Sequence, residues 1–266
     1  MPEGPECRRV YEGLRQATDC KILTDVKVLG GRFLKKPPVG LTELVLPTQV
    51  VGGGVHGKFI WLEFEENQTI WITLGMSGRW SKIKLPHSHL ALTFSDGTEL
   101  YFVDQRRFGT IKFANKIELD KKLQSLGIDP LNDRTLSMFN ALRQFEKVPN
   151  KTIAEALMNQ SLFAGIGNYI KCEVLYRSRI SPHRLVSSLS GQDISQLWTW
   201  TKLIIDSSYS QGGASIRNYR QIDESTGDFI FEFEVYSKKE DPFGNDVVKE
   251  ITKDGRTTHW VPQLQV

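Results

Sequence analysis

Cysteine is scarce. The 266 residues hold three, Cys7, Cys20 and Cys172, an odd number at unrelated spacings. That excludes a disulfide framework and a cysteine-based metal site, and it points to a reduced intracellular compartment: nuclear in a eukaryote, cytoplasmic otherwise. No apolar run approaches the ~18 residues of a membrane span. The opening MPEGPECRRVYEG lacks the apolar stretch between a basic start and a small-residue cleavage site that a secretory signal needs. Neither sign of charge dominates, with 34 Lys+Arg against 31 Asp+Glu and a net +3. Apolar residues at 39% and charged residues at 24% exclude a disordered tail protein, a collagen-like fibre and a coiled coil. There are no internal repeats and no low-complexity tracts, and the length suits one large domain or two modest ones.

The charge that is present is unevenly spread. Residues 76–116 hold seven Lys/Arg against three acids, residues 151–184 five against two, and residues 211–266 seven against ten. Two basic stretches on a near-neutral chain suit a polyanionic partner, or are ordinary solvated faces. Val10, Tyr11, Leu14 and Ala17 recur at helical spacing and predict a helix over 6–19. Residues 21–114 then change texture. Segments 21–29, 58–65, 68–75, 89–95 and 98–104 are short and rich in β-branched and aromatic residues, and Asp96-Gly97 is a hairpin turn signal. An antiparallel sandwich or barrel follows. Helical patterns return at 116–127, 152–163, 168–179 and 190–209, with Ser190 and Asp193 as capping residues of the last. Asp129-Pro130 and Pro149 mark 130–150 as a linker. Segment 229–239 reads as a strand, and 246–261 as a hairpin turning at Asp254-Gly255.

The chemistry begins at Met1-Pro2-Glu3. Taken alone, Pro2 signals only that the methionine will be removed. Removal leaves a secondary amine beside a carboxylate. An α-amino group titrates near pH 8, so much of it is free base at neutral pH. Such an amine attacks an acetal or aldehyde carbon, and the iminium from proline is always cationic, an electron sink that acidifies the neighbouring C–H. Glu3 stands next to it to move protons.

Further blocks extend this reading: Gly-Lys-Phe at 57–59, LGMSGRW at 74–80, DQRRFG at 104–109, NQSLFAGIGNYIKCEVLYRSRISP at 159–182 and GRTTHWVPQLQ at 255–265. With MPEGPE, and in this order, they resemble the formamidopyrimidine-DNA glycosylase/endonuclease VIII family of base-excision repair enzymes over nearly the whole chain. The resemblance implies an α+β fold: an N-terminal antiparallel β-sandwich with an N-terminal helix (1–130), a helix–two-turn–helix domain (131–228) and a terminal β-hairpin (229–266), with damaged double-stranded DNA lying between the domains. It implies a bifunctional glycosylase and AP lyase acting as a monomer, with a catalytic set of Pro2 as nucleophile, Glu3 as acid/base, Lys58 contacting the phosphate near the lesion and assisting catalysis, and Arg256 contacting the phosphates that flank it. Met76, Arg106 and Phe108 match the residues that fill the void left by an extruded nucleotide, and Asn168 matches a phosphate-contacting asparagine at a helix entry.

One departure is plain. Where many bacterial relatives carry a four-cysteine zinc finger, this sequence places Phe243, Asp246, Val261 and Leu264. These cannot form a thiolate site. No metal or organic cofactor is therefore implied, and the hairpin resembles the zincless-finger branch, with Phe243, Trp260, Val261 and Leu264 expected to pack it and His259 to pack rather than ligate. Lesion class divides within the family. MPEGPE is closer to the endonuclease VIII-like enzymes of oxidised pyrimidines. The Met76/Arg106/Phe108 set and the undeleted stretch between Gly213 and Val235 are closer to the formamidopyrimidine and 8-oxoguanine glycosylases, the preferred reading. A damage-binding protein without catalysis is the alternative of another class, and it is disfavoured because Pro2, Glu3 and Lys58 are all present.

Overall fold

The computed structural model describes residues 1–132, 138–213, 222 and 231–266. They divide into two compact units. The first comprises Met1–Pro2, Glu6–Ser125 and Ile222; the second comprises Glu3–Pro5 and the described residues of 126–213 and 231–266.

The first unit opens with helix α1 (Gly4–Thr18), whose inward residues Cys7, Val10, Tyr11, Leu14 and Ala17 follow the helical spacing of the sequence. Strands β1 (Ile22–Val28), β2 (Thr48–His56), β3 (Phe59–Phe64), β4 (Gln68–Thr73), β5 (Gly78–Ser81), β6 (Ser88–Phe94), β7 (Glu99–Asp104) and β8 (Thr110–Asn115) follow, with the short helix α2 (Arg32–Lys35) after β1 and helix α3 (Lys116–Gln124) after β8. The strand order is β5-β7-β6-β1-β2-β3-β4-β8, every adjacent pair antiparallel. Only two residue pairs join β1 to β2, Ile22–Gln49 and Leu23–Thr48, so two four-stranded halves meet at one corner. Their inner faces share a core: Leu90, Leu92, Phe94, Leu100 and Phe102 from one half, and Ile60, Leu62, Phe64, Ile70 and Ile72 from the other. This is a β-sandwich, with apolar residues alternating inward along each strand.

Strand β2 has no counterpart in the sequence reading, because Gly52-Gly53-Gly54 looks like a break. Packing requires glycine at 53 and 54. A Cβ on Gly54 would come 2.3 Å from the Trp61 ring on the neighbouring strand. The Gly53 carbonyl accepts a hydrogen bond from Tyr11 Oη at 2.7 Å, which fixes α1 to the sheet.

The second unit contains α4 (Met138–Phe145), α5 (Ile153–Met158), α6 (Asn168–Arg177) and α7 (Gly191–Ser210), followed by strands β9 (Val248–Ile251) and β10 (Thr257–Trp260). Ser190 caps α7 in a reciprocal box with Asp193, and Thr152 caps α5 with Glu155. Two expectations are corrected. The supposed linker 130–150 contains α4, whose Ala141 and Phe145 are buried; the Phe145 ring packs 4.8 Å from Phe163. Asp129-Pro130 and Pro149 flank that helix and do not dissolve it. The second correction is that residues 231–239 form no strand. Their backbone N–H groups turn to a side chain: Glu173 on α6 accepts from the amides of Glu234, Val235 and Tyr236 at 3.0, 3.1 and 2.8 Å. The alternating aromatics, read as a strand face, instead surround Tyr169, with Phe231 and Phe233 at ring distances of 6.3 and 5.4 Å. The rest of that predicted strand, residues 229–230, lies outside the described residues, as does most of the stretch between Gly213 and Val235.

Candidate active site

Pro2 is buried just ahead of α1. With Met1 attached its nitrogen is an amide, and the reactive amine appears only when Met1 is removed. Glu3, 2% exposed, seats its carboxylate on the first turn of α6, accepting from the amides of Tyr169 at 2.9 Å and Ile170 at 3.3 Å. The positive end of the helix dipole therefore faces the carboxylate. Gly167 makes room for it: a Cβ there would fall 2.2 Å from the Glu3 carboxyl carbon. The N–H groups at this helix entry, of the kind that bind phosphate, are taken by Glu3, and Gly4 N donates to Gly165 O at 3.0 Å to close the contact.

Asn168, the first residue of α6, donates through Nδ2 to the Thr257 carbonyl at 2.8 Å. Thr257 follows Arg256, which is exposed in the turn between β9 and β10. Glu3, Asn168 and Arg256 thus lie on one connected path: chain start, helix entry, hairpin.

In the sandwich unit Lys58 lies half-buried on the turn between β2 and β3. Met76, Arg106 and Phe108 sit on two loops that touch, since a Cβ on Gly75 would come 2.6 Å from the backbone of Phe108. Phe108 is 54% exposed, and the Arg106 guanidinium stacks 5.3 Å from its ring centre. A buried carboxylate the sequence reading did not single out holds both loops. Asp104 accepts from Ser77 Oγ at 2.5 Å and from Gly109 N at 2.7 Å, while Ser77 Oγ accepts from Arg106 N at 2.9 Å. An exposed apolar ring and a cation on a braced loop pair can enter a base stack.

The residues at the zinc-ligand positions do not fit a zinc ion. Val261 is fully buried and packs with Cys172, Tyr176, Val235 and Val247, with Leu264 alongside. Phe243, expected to help staple the hairpin, is 81% exposed, so that part of the expectation is wrong. Asp241 organises its loop instead. Its carboxylate accepts from the amides of Phe243 and Asn245 at 2.9 and 2.8 Å, from Asn245 Nδ2 at 2.9 Å and from Tyr176 Oη of α6 at 3.0 Å. Burial works to raise the Asp241 carboxyl, but these bonds outweigh it and hold it below the ordinary aspartate value. Trp260 is half-buried with its ring edge-on to His183 at 5.3 Å, and His259 is buried with its imidazole edge-on to Tyr236 at 5.1 Å. Burial pushes the Cys172 thiol up to about 12. Among the described residues no group of three or more His, Cys, Asp or Glu could hold a metal ion, and no helix is long and apolar enough to cross a membrane.

Two regions, the sandwich loops braced for a stack and the helix that seats Glu3 and joins the hairpin of Arg256, define a protein that works on nucleic acid. Family models match almost the entire chain: the N-terminal domain of formamidopyrimidine-DNA glycosylase over residues 1–111, its H2TH domain over 126–220 and its C-terminal domain over 222–266. The chain belongs to the formamidopyrimidine-DNA glycosylase family, enzymes of base-excision repair. The formamidopyrimidine-DNA glycosylase of Novosphingobium aromaticivorans is 30% identical over 274 residues, covering all of both chains. Among solved structures, the MutM (Fpg) protein of Thermus thermophilus superposes with a TM-score of 0.87 at 26% identity, over 99% of this chain and 98% of that one. The Lactococcus lactis Fpg in complex with DNA containing an abasic site gives 0.85 at 25% identity, over 99% of each.

Proposed function

We propose that this chain is a bifunctional DNA glycosylase and AP lyase that excises oxidised bases from double-stranded DNA, formamidopyrimidines and 8-oxoguanine foremost. The observation that carries the proposal is the fixed Glu3 carboxylate on the residue next to Pro2. The Pro2 amine, freed of Met1, attacks C1′ of an extruded nucleotide. The glycosidic bond breaks toward the base, which leaves with its electron pair and takes up a proton. The Pro2 nitrogen, protonated by its attack, gives that proton to the Glu3 carboxylate, which passes it to the sugar oxygen O4′ as the ring opens and leaves the cationic iminium on Pro2. Loss of a C2′ proton into that electron sink expels the 3′ phosphate, and a second elimination expels the 5′ phosphate.

In this reading Lys58, Asn168 and Arg256 hold the backbone phosphates. Met76, Arg106 and Phe108 fill the void, with Arg106 donating to an orphaned cytosine. The hairpin works without a metal, the sandwich, helical and hairpin segments act together in one monomer, and the protein acts inside the cell, where its DNA is. The names of the relatives support formamidopyrimidine lesions over oxidised pyrimidines.

Borohydride trapping on abasic DNA tests the nucleophile. Covalent capture is expected for the processed protein and lost in Pro2→Gly with DNA binding retained; full trapping with Met1 verified as present would overturn it. A lesion panel against each opposite base tests the substrate. Faster 8-oxoguanine excision opposite C than opposite A is expected, blunted in Arg106→Ala, whereas activity confined to oxidised pyrimidines would move the protein to the endonuclease VIII-like class.

A further inference from the structure

Asp-Gly turns usually leave the aspartate in water. Here the aspartate is enclosed. The Asp254 side chain is 2% exposed, and Lys171 Nζ, on a side chain with no exposure at all, sits 2.6 Å from Asp254 Oδ2 and 2.8 Å from Thr258 Oγ1. Thr252 closes the ring: its hydroxyl donates to Asp254 Oδ1, lies 2.5 Å from Thr258 Oγ1, and its amide donates to the Arg256 carbonyl at 3.1 Å. A buried ion pair is a poor stability device, because taking two charges out of water offsets most of their attraction. A solvated aspartate would make the same turn. The pair does something a solvated turn could not. It neutralises the carboxylate two residues before Arg256 and turns it away from the exposed guanidinium.

We propose that Lys171 is a positioning residue for Arg256, sequestering Asp254 so that the guanidinium is left to a DNA phosphate and held in one direction. Without the ammonium, the Asp254 carboxylate swings outward, pairs with Arg256 and repels the phosphate. The proposal rests on Arg256 being a phosphate contact, and the test separates the two.

The full-length protein is titrated with a duplex carrying a tetrahydrofuran abasic analogue across a range of salt, with thermal melting of every variant. Arg256→Ala is expected to weaken binding about ten- to a hundredfold, the loss of one charged hydrogen bond, and to flatten the salt slope by about one counterion. Lys171→Met should do the same, Lys171→Arg should bind like the parent, and Lys171→Met/Arg256→Ala should be no weaker than Arg256→Ala alone. Adding Asp254→Asn to Lys171→Met should restore both affinity and slope, which a role in folding alone would not do for the slope. If Lys171→Met does not melt cooperatively, Thr258→Val, of equal size and lacking the hydroxyl, carries the same comparison. Parental affinity and slope in Lys171→Met beside a crippled Arg256→Ala would overturn the positioning role alone. So would losses that multiply in the double variant. An inert Arg256→Ala would remove the phosphate contact and the positioning role together.

Discussion

The sandwich and the helix–hairpin region each present side chains to the same proposed ligand, yet they are held together differently. The sandwich rests on burial: Leu90, Leu92, Phe102, Ile60, Ile70 and Ile72 are all fully enclosed, and a single carboxylate, Asp104, braces its two working loops. The hairpin has a small apolar cluster and leans on polar groups of one helix. Within ten residues α6 offers its first amides to Glu3, Asn168 to Thr257, Lys171 to Asp254, Glu173 to three amides and Tyr176 to Asp241. An apolar core tolerates substitutions of similar volume, whereas a polar anchorage fails when one partner is lost. The two regions should therefore break by different routes.

The largest effects set that contrast. Phe102→Ala should cost the sandwich about 4 kcal/mol through the cavity it leaves. Glu173→Ala should cost about 3 kcal/mol through amides left unpaired away from water, with Glu173→Gln recovering much of it because the amide oxygen still accepts. Denaturant unfolding of the three variants reads this directly; a Glu173→Ala loss below about 1 kcal/mol would show that the tail is held on α6 by its valines and not by the Glu173 carboxylate. Ser77→Ala should be milder, about 1 kcal/mol in stability. Its larger consequence is in function, because Arg106 N and Asp104 lose their shared hydroxyl. Damaged-DNA binding should weaken while the melting temperature barely moves; the reverse pattern would make the loop bridge purely structural.

A smaller effect concerns pH. Burial, with Lys249 and Lys171 nearby, holds the His259 imidazole below its ordinary 6.5. The unfolded chain then takes up a proton that the folded chain resists. This contribution to stability is present above pH 6.5 and is lost as pH falls from there through the folded value, at no more than about 1.4 kcal/mol per pH unit. Stability measured across that window should fall less steeply in His259→Gln; identical profiles would remove the imidazole from the account. The smallest expected effect is none: a chelator should change neither melting nor excision, and stoichiometric zinc in the purified protein would refute the metal-free hairpin.

Where periodicity is strong, sequence and structure agree. Helix α1, the aromatic strands, the Asp96-Gly97 hairpin and the Ser190 cap follow from local patterns alone. Strand β2 was hidden because its glycines answer to Trp61, a neighbour in space. The strand expected at 229–239 failed for the opposite reason: alternation was present, but Glu173 took the amides a partner strand would have used. The site residues stood in recognisable motifs. The roles of their supports did not show, even where Asp104, Lys171 and Glu173 stood inside the same motifs, because only the fold encloses these charges and gives them partners. The seat of Glu3 was equally hidden, since nothing in the local sequence says whether the amides of Tyr169 and Ile170 face a phosphate or a carboxylate from the start of the same chain.

The partnership of Glu173 with the amides of 234–236 spans 61 to 63 residues of chain. On a ribosome α6 is therefore made well before the segment that covers it. Until that segment arrives, Lys171 and Glu173 are charges in water, and they keep wet a helix face that a purely apolar anchorage would leave sticky. When the tail docks, those charges change from solubilising groups into ties. The apolar groups of that face, Tyr169, Cys172 and Tyr176, thus wait for the later segment among charges that keep them from other surfaces.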